Sequence, residues 1–254
     1  MDIYIYTLIF IFGSIMGSFL NVVAVRLSKD ESIIWPGSHC DVCTHRLKWY
    51  ENIPIISYII QGGKTRCCNA KIPISYLFME IITGVLYCTS YHSFGFSSEF
   101  LISLVFISAL ITIIVADIEY MIIPDEVVGI SSIIIIVLDL ILYGLETTSK
   151  NIMFGLLAFL LMYMIKLIGD RLFKKESMGG GDIKLMFLFG LVIGFSLSIC
   201  DIFLATFIAF PIALFLLVRR KDNMIPFGPF LAMGAILIHI SKVNIDSIIN
   251  FLIR

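Results

Sequence analysis

At 254 residues, 59% hydrophobic and only 15% charged, with a mean hydropathy of +1.00, the chain cannot clothe itself for water: soluble domains run to about 25% charged residues. Lipid must be the solvent for most of its surface. The net charge of −1 says nothing about partners, and six cysteines spread over a polar segment and two apolar runs exclude a small disulfide scaffold.

Apolar runs long enough to span a bilayer, or nearly so, recur along the chain. They cover Ile3–Val25, Ile74–Tyr91, Phe100–Ala116, Val127–Tyr143, Ile152–Ile168, Leu185–Cys200, Ile202–Val218 and Phe230–Ile240. The first lacks a basic leader and a small-residue cleavage site, so it reads as a retained span. Only Asp201 separates the sixth run from the seventh, and Pro226 and Pro229 precede the eighth. The segment 244–254 reads as a short interfacial tail. The expected fold is an all-α, polytopic membrane bundle of about eight helices. Three regions are expected: 1–25 as the first transmembrane helix, 26–72 as a polar loop, and 73–254 as the transmembrane core.

Charge orients these spans. With the N-terminus outside, the inner loops are 26–72, 117–125, 166–184 and 219–225, and they hold fifteen of the eighteen Lys and Arg residues. Basic residues concentrate on the cytoplasmic side. Loop 117–125 is instead acidic, with Asp117, Glu119 and Asp125. Two spans separate Asp117 from Asp182, so both fall on the cytoplasmic face.

Asp117 closes an uncharged run. It marks either the lipid–water boundary or a functional acid, since ionisable groups at membrane depth are costly. Asp125 follows Pro124 and reads as a helix N-cap with a supporting role at most. Gly179-Gly180-Gly181 precede Asp182 and Lys184. Glycines there allow close backbone approach and keep side chains away from the carboxylate; the plainer reading is a flexible loop capped by Asp182. Two carboxylates held close titrate as a pair. In an aspartic protease one activates water while the other polarises the scissile carbonyl.

Cys40 and Cys43 form a C-x2-C pair, followed by Cys67-Cys68. Such a pair is a common half of a zinc site, with His39 and His45 as substitute ligands; free thiols are the alternative. Glu80 sits inside the second span as a functional candidate, or as a partner for Lys71 or Arg66. His92 and His239 read as structural, and Cys88 and Cys200 as small core residues.

Together these stretches resemble the bacterial type IV prepilin peptidases, membrane aspartyl proteases of the GxGD type. The resemblance rests on Gly13 through Val22 with Arg26-Leu27, on Asn52 through Tyr58 with Gly63-Lys64, and on Tyr76 with Glu80. It continues through Asp117 to Asp125, Gly179 to Leu185, and Pro226-Phe227-Gly228-Pro229. It implies Asp117 and Asp182 as the catalytic pair, needing no cofactor for proteolysis, with Gly179, Gly181, Lys184, Asp125 and Glu80 in supporting positions. It implies type IV prepilin or pseudopilin substrates, cut after a glycine that ends a short basic leader, and no nucleic-acid partner. It also implies S-adenosylmethionine as methyl donor for N-methylation in the first cytoplasmic loop, at the bacterial inner membrane. One departure concerns zinc on Cys40, Cys43, Cys67 and Cys68: Thr65 stands where the family has a third cysteine. Outside this resemblance, the chain could be a non-catalytic membrane transporter or assembly protein with a metal-binding loop. Transporters usually carry ionisable groups near mid-membrane, whereas these two acids sit at one face.

Overall fold

The computed structural model describes residues 2–40, 42–218 and 226–243. The basic loop 219–225 and the tail 244–254 lie outside the described residues. The chain is all-α, with two isolated β-bridges and no strand among the described residues. It divides into two compact units, Met1–His92 and Ser93–Arg254.

The first unit holds α1 (Asp2–Ser28), the short α2 (Ile56–Ile60) and most of α3 (Ile74–Phe94). Helices α1 and α3 are each long and apolar enough to cross a membrane. They meet closely, Gly13 lying against the backbone of Gly84; small residues let membrane helices approach in this way. In the last turn of α1 the buried Arg26 side chain donates to the carbonyls of Ser32, Ile33 and Gly37 at 3.1, 3.1 and 3.3 Å. These charge-assisted bonds hold the chain as it leaves the helix.

The second unit contains α4 (Ser98–Tyr120), α5 (Asp125–Phe173), α6 (Gly180–Ile193), α7 (Phe195–Val218) and α8 (Gly228–Ser241). Ser97 caps α4, its hydroxyl accepting from the Phe100 N–H. Helix α5 absorbs two expected spans. It breaks at Gly144, whose φ of 80° is a conformation few other residues adopt. Twelve residues of straight helix would cover about 18 Å, yet Asn151 Nδ2 donates to Asp139 Oδ2 at 2.8 Å. The chain therefore folds back at Gly144, and Asp139 serves as a buried clasp across the bend.

The boundary expected at Asp201 is corrected. The break between α6 and α7 falls at Gly194, with φ 80°, and Asp201 lies inside α7, fully buried. A lone acid in an apolar run reads as an exit from lipid, but here it faces the bundle, against Gly234 of α8. Helices α6 and α8 have 14 residues each. At 1.5 Å per residue they cover about 21 Å, short of the roughly 30 Å hydrocarbon core. Neither helix alone covers the full hydrocarbon thickness.

Candidate functional site

Asp117 sits in the last turn of α4. The helix stops three residues later because Met121 turns left-handed, its N–H donating back to the Asp117 carbonyl at 3.0 Å. The chain then runs extended through Ile123 to Pro124, which precedes α5. Asp182 lies in the first turn of α6. Both side chains are buried, with Asp117 6% and Asp182 8% exposed, and the Asp117 charge acts on the Asp182 carboxylate. The structure thus brings together two acids 65 positions apart, from the C-terminal end of one helix and the N-terminal end of another.

A third helix end completes the arrangement. The Gly228 N–H, at the start of α8, donates to the Asp117 carboxylate. The first turn of a helix has N–H groups without intrahelical partners, and its dipole favours negative charge. A side chain on Gly228 would collide with Asp117 Oδ2, its Cβ lying 2.6 Å away. A Cβ on Gly181 would lie 2.7 Å from Ile123 Cβ, and Ile123 also approaches Gly228. Ile123 is thus wedged between the two glycines that adjoin the acids.

The remaining supporting candidates fall elsewhere. Gly179 is the N-cap of α6, beside Asp182, and Gly180 faces open space. Asp125 does not cap α5. Pro124 occupies the N-cap position, no side chain caps it, and Asp125 is the first helical residue. Its carboxylate instead binds Lys184 Nζ, with both oxygens at 2.6 Å. That exposed pair ties α5 to α6. Sequence proximity to a proline suggested a cap; the lysine that claims the carboxylate lies 59 residues away. Gly228 stands in the Pro226–Pro229 motif with no site role expected of it, although Pro229 behind it signals a helix start.

Glu80 belongs to the first unit, where it accepts from the Ile55 N–H at 2.6 Å and from Ser18. Those are its partners, rather than Lys71 or Arg66. It lines a cavity of about 510 Å³ together with Asn21, Tyr58 and Tyr76. Asn21 Oδ1 is buried there without a hydrogen-bond partner.

The cysteines of the loop form a compact cluster. Two knuckles carry them, each closed by a single β-bridge, His39 to Arg46 and Lys64 to Lys71. Their backbones repeat. The Cys40 N–H bonds the His45 carbonyl and the Thr44 N–H returns to Cys40; the Thr65 N–H bonds Ala70 and the Asn69 N–H returns to Thr65. Thr44 and Asn69 both turn left-handed, with φ 57° and 55°. In this register Thr65 corresponds to Cys40, Cys68 to Cys43, and Cys67 to Val42. Cys67 nevertheless reaches the cluster, its sulfur 3.2 Å from Cys43 Sγ and 3.9 Å from Cys68 Sγ, while Cys40 and Cys68 are 3.6 Å apart. A tetrahedral zinc with bonds of about 2.3 Å would set its sulfurs about 3.8 Å apart, so the four thiols fit one ion. Backbone N–H groups of Cys43 and Val42 hold the Cys40 thiol down, to about 6. The His45 N–H also pulls on Cys43, but the crowding thiols, Cys67 foremost, push it up to about 12. Without a cation, four thiolates this close repel one another.

Comparison with known proteins follows the same two-part division. Residues 11–94 match the bacterial peptidase A24 N-terminal domain and residues 104–216 the type IV leader peptidase family. A prepilin leader peptidase/N-methyltransferase of Bacillus subtilis is 33% identical over 251 residues, covering 98% of each chain. That of Vibrio cholerae is 30% identical over 255 residues, 94% of this chain and 98% of that protein. In the Myxococcus xanthus protein of the same name, 33% identity over 184 residues covers 72% of this chain but 54% of the relative. No solved structure matches. A full-length relative at this identity and two consecutive family matches lead to one conclusion: this multi-pass membrane chain belongs to the type IV leader peptidase family.

Proposed function

We propose that this protein is a membrane aspartic endopeptidase that removes the leader of type IV prepilin-like proteins after a glycine, with Asp117 and Asp182 as its catalytic pair. The juxtaposition of two buried carboxylates at opposing helix ends carries this reading. The pair shares one proton. Its ionised member takes a proton from water, which attacks the scissile carbonyl, and its protonated member donates to the carbonyl oxygen. Gly228 holds Asp117 through its N–H. Gly180, which faces open space, leaves room for an extended peptide ahead of Asp182. The N-out orientation follows from the basic loops and puts the pair at the cytoplasmic face of the bacterial inner membrane. There a prepilin's polar leader meets its apolar helix. Asp117→Asn and Asp182→Asn are each expected to abolish cleavage of a co-expressed prepilin while the protein accumulates in the membrane. Processing by either variant at the parental rate would remove the assignment. A transporter reading draws no support from the family to which the chain belongs.

The first unit is assigned the second activity, N-methylation of the new N-terminal residue. Its cavity of about 510 Å³ lies within the range of small-molecule sites, about 300–1,000 Å³. Asn21 offers an unused buried acceptor there and Glu80 a carboxylate for a polar or cationic group. S-adenosylmethionine, when bound, supplies the electrophilic methyl group. Cys40, Cys43, Cys67 and Cys68 would hold a structural zinc, pinning the two knuckles together. Mass spectrometry of the processed pilin N-terminus tests methylation, which an unmethylated product would exclude.

A further inference from the structure

The segment between α1 and α3 exposes apolar side chains that a loop in water would hide. Ile34 is 88% exposed, Trp35 72% and Trp49 80%. Ile56, Ile59 and Ile60 of α2 are exposed as well, and their i, i+3, i+4 spacing puts them on one face. The chain's only two tryptophans are thus both in this segment. Basic groups accompany them. Trp49 packs edge-on against Tyr50, and Lys48 Nζ and Arg66 Cζ lie 5.8 and 5.6 Å from the Tyr50 ring centroid.

Two features decide what covers this surface. The segment leaves a spanning helix at Ser28 and enters another at Ile74, so both its ends are held at the membrane surface. It carries six Lys and Arg residues against four Asp and Glu. Such a surface attracts anionic lipid and repels the basic leader expected of the substrate. Tryptophan and tyrosine favour the same depth.

We propose that this segment docks onto the membrane itself, its tryptophans and the apolar face of α2 entering the headgroup region of an anionic leaflet and Lys48 and Arg66 engaging lipid phosphate. The inference does not depend on the proteolytic assignment. Having only two tryptophans makes the test direct. The full-length protein, with its Trp35→Phe and Trp49→Phe variants, is placed in nanodiscs of phosphatidylcholine brominated near the headgroup or near the bilayer centre. The expected result is a loss of fluorescence in the parent and in both variants, larger for bromines near the headgroup, with shielding from aqueous acrylamide. The loss deepens as phosphatidylglycerol is added, and this gain shrinks in Lys48→Gln/Arg66→Gln. Full acrylamide quenching with no response to brominated lipid overturns the proposal. So does indifference to phosphatidylglycerol, or shielding that appears only when a prepilin peptide is added. Cleavage by the same nanodisc preparations, which the proposal leaves free to vary, reports separately on the protease.

Discussion

Gly228→Ala adds one methyl group where α8 begins and leaves both aspartates in the chain. Its Cβ would lie 2.6 Å from Asp117 Oδ2 and 3.1 Å from Ile123 Cδ1, whereas ordinary contact starts at 3.4 Å. To reach that separation the carboxylate must retreat by about 0.8 Å, or the start of α8 must shift and weaken its N–H bond to Asp117. A displacement of about 1 Å at a reacting group can cost roughly 10²-fold in rate, about 2.7 kcal/mol of barrier. Overpacking itself costs about 1–3 kcal/mol of stability, which many membrane proteins survive. The expected phenotype is a kcat lowered by roughly 10- to 100-fold with KM little changed, in protein that still reaches the membrane.

The assay is steady-state cleavage of a prepilin by purified enzyme, alongside thermal unfolding in the same detergent. Ile123→Ala separates the two contacts. It removes the 3.1 Å neighbour but not the carboxylate, so it should not rescue Gly228→Ala. A Gly228→Ala enzyme with parental kcat would refute the reasoning, because Asp117 would then need no fixed position. Rescue by Ile123→Ala would refute it as well, because the damage would then come from packing alone.

Asp125→Ala removes an exposed ion pair with Lys184, a kind of contact worth about 0–1 kcal/mol. Thermal stability and cleavage should therefore stay near parental, and a loss matching Asp117→Asn would give Asp125 a catalytic part. Gly234→Ala would drive a Cβ into Asp201 Oδ1 and should cost about 1–3 kcal/mol. Asp201→Ala should restore that stability in the double variant, and additive losses would place the clash elsewhere. Elemental analysis of purified protein should give one zinc per chain, and Cys67→Ser should lower it. Retention of full zinc in Cys67→Ser would show that Cys67 is not a ligand.

The helices were legible because hydropathy and helix length are both local. Each apolar run had to be a helix, since no other open structure satisfies its backbone in lipid. Gly144 turns the chain in the gap expected between two runs, but Gly194 breaks the run 185–200 at positive φ, and a sequence offers many glycines without showing which one turns. Asp201 misled for a related reason. A charge in an apolar stretch reports polarity, but lipid contact and burial against a neighbouring helix leave the same pattern in one dimension. Asp125 misled through its partner, which is set by the packing of α5 on α6 rather than by its neighbours in the chain.

Asp117 and Asp182 were visible as acids in apolar surroundings, and counting crossings put them on one side. The agent that orients Asp117 was not visible, because it is a backbone N–H. Nothing in the side-chain pattern marks a hydrogen-bond donor that every residue but proline has. What makes Gly228 special is the lack of a side chain at a helix start that must come within contact distance of a carboxylate. The same logic runs through the cysteine loop. Register assigns the third ligand position to Thr65, and one residue of slack lets Cys67 reach in from the position that Val42 holds in the first knuckle. Spacing rules assume that a ligand set keeps its register. Geometry requires only that four sulfurs converge, and the four here lie within 4.8 Å of one another.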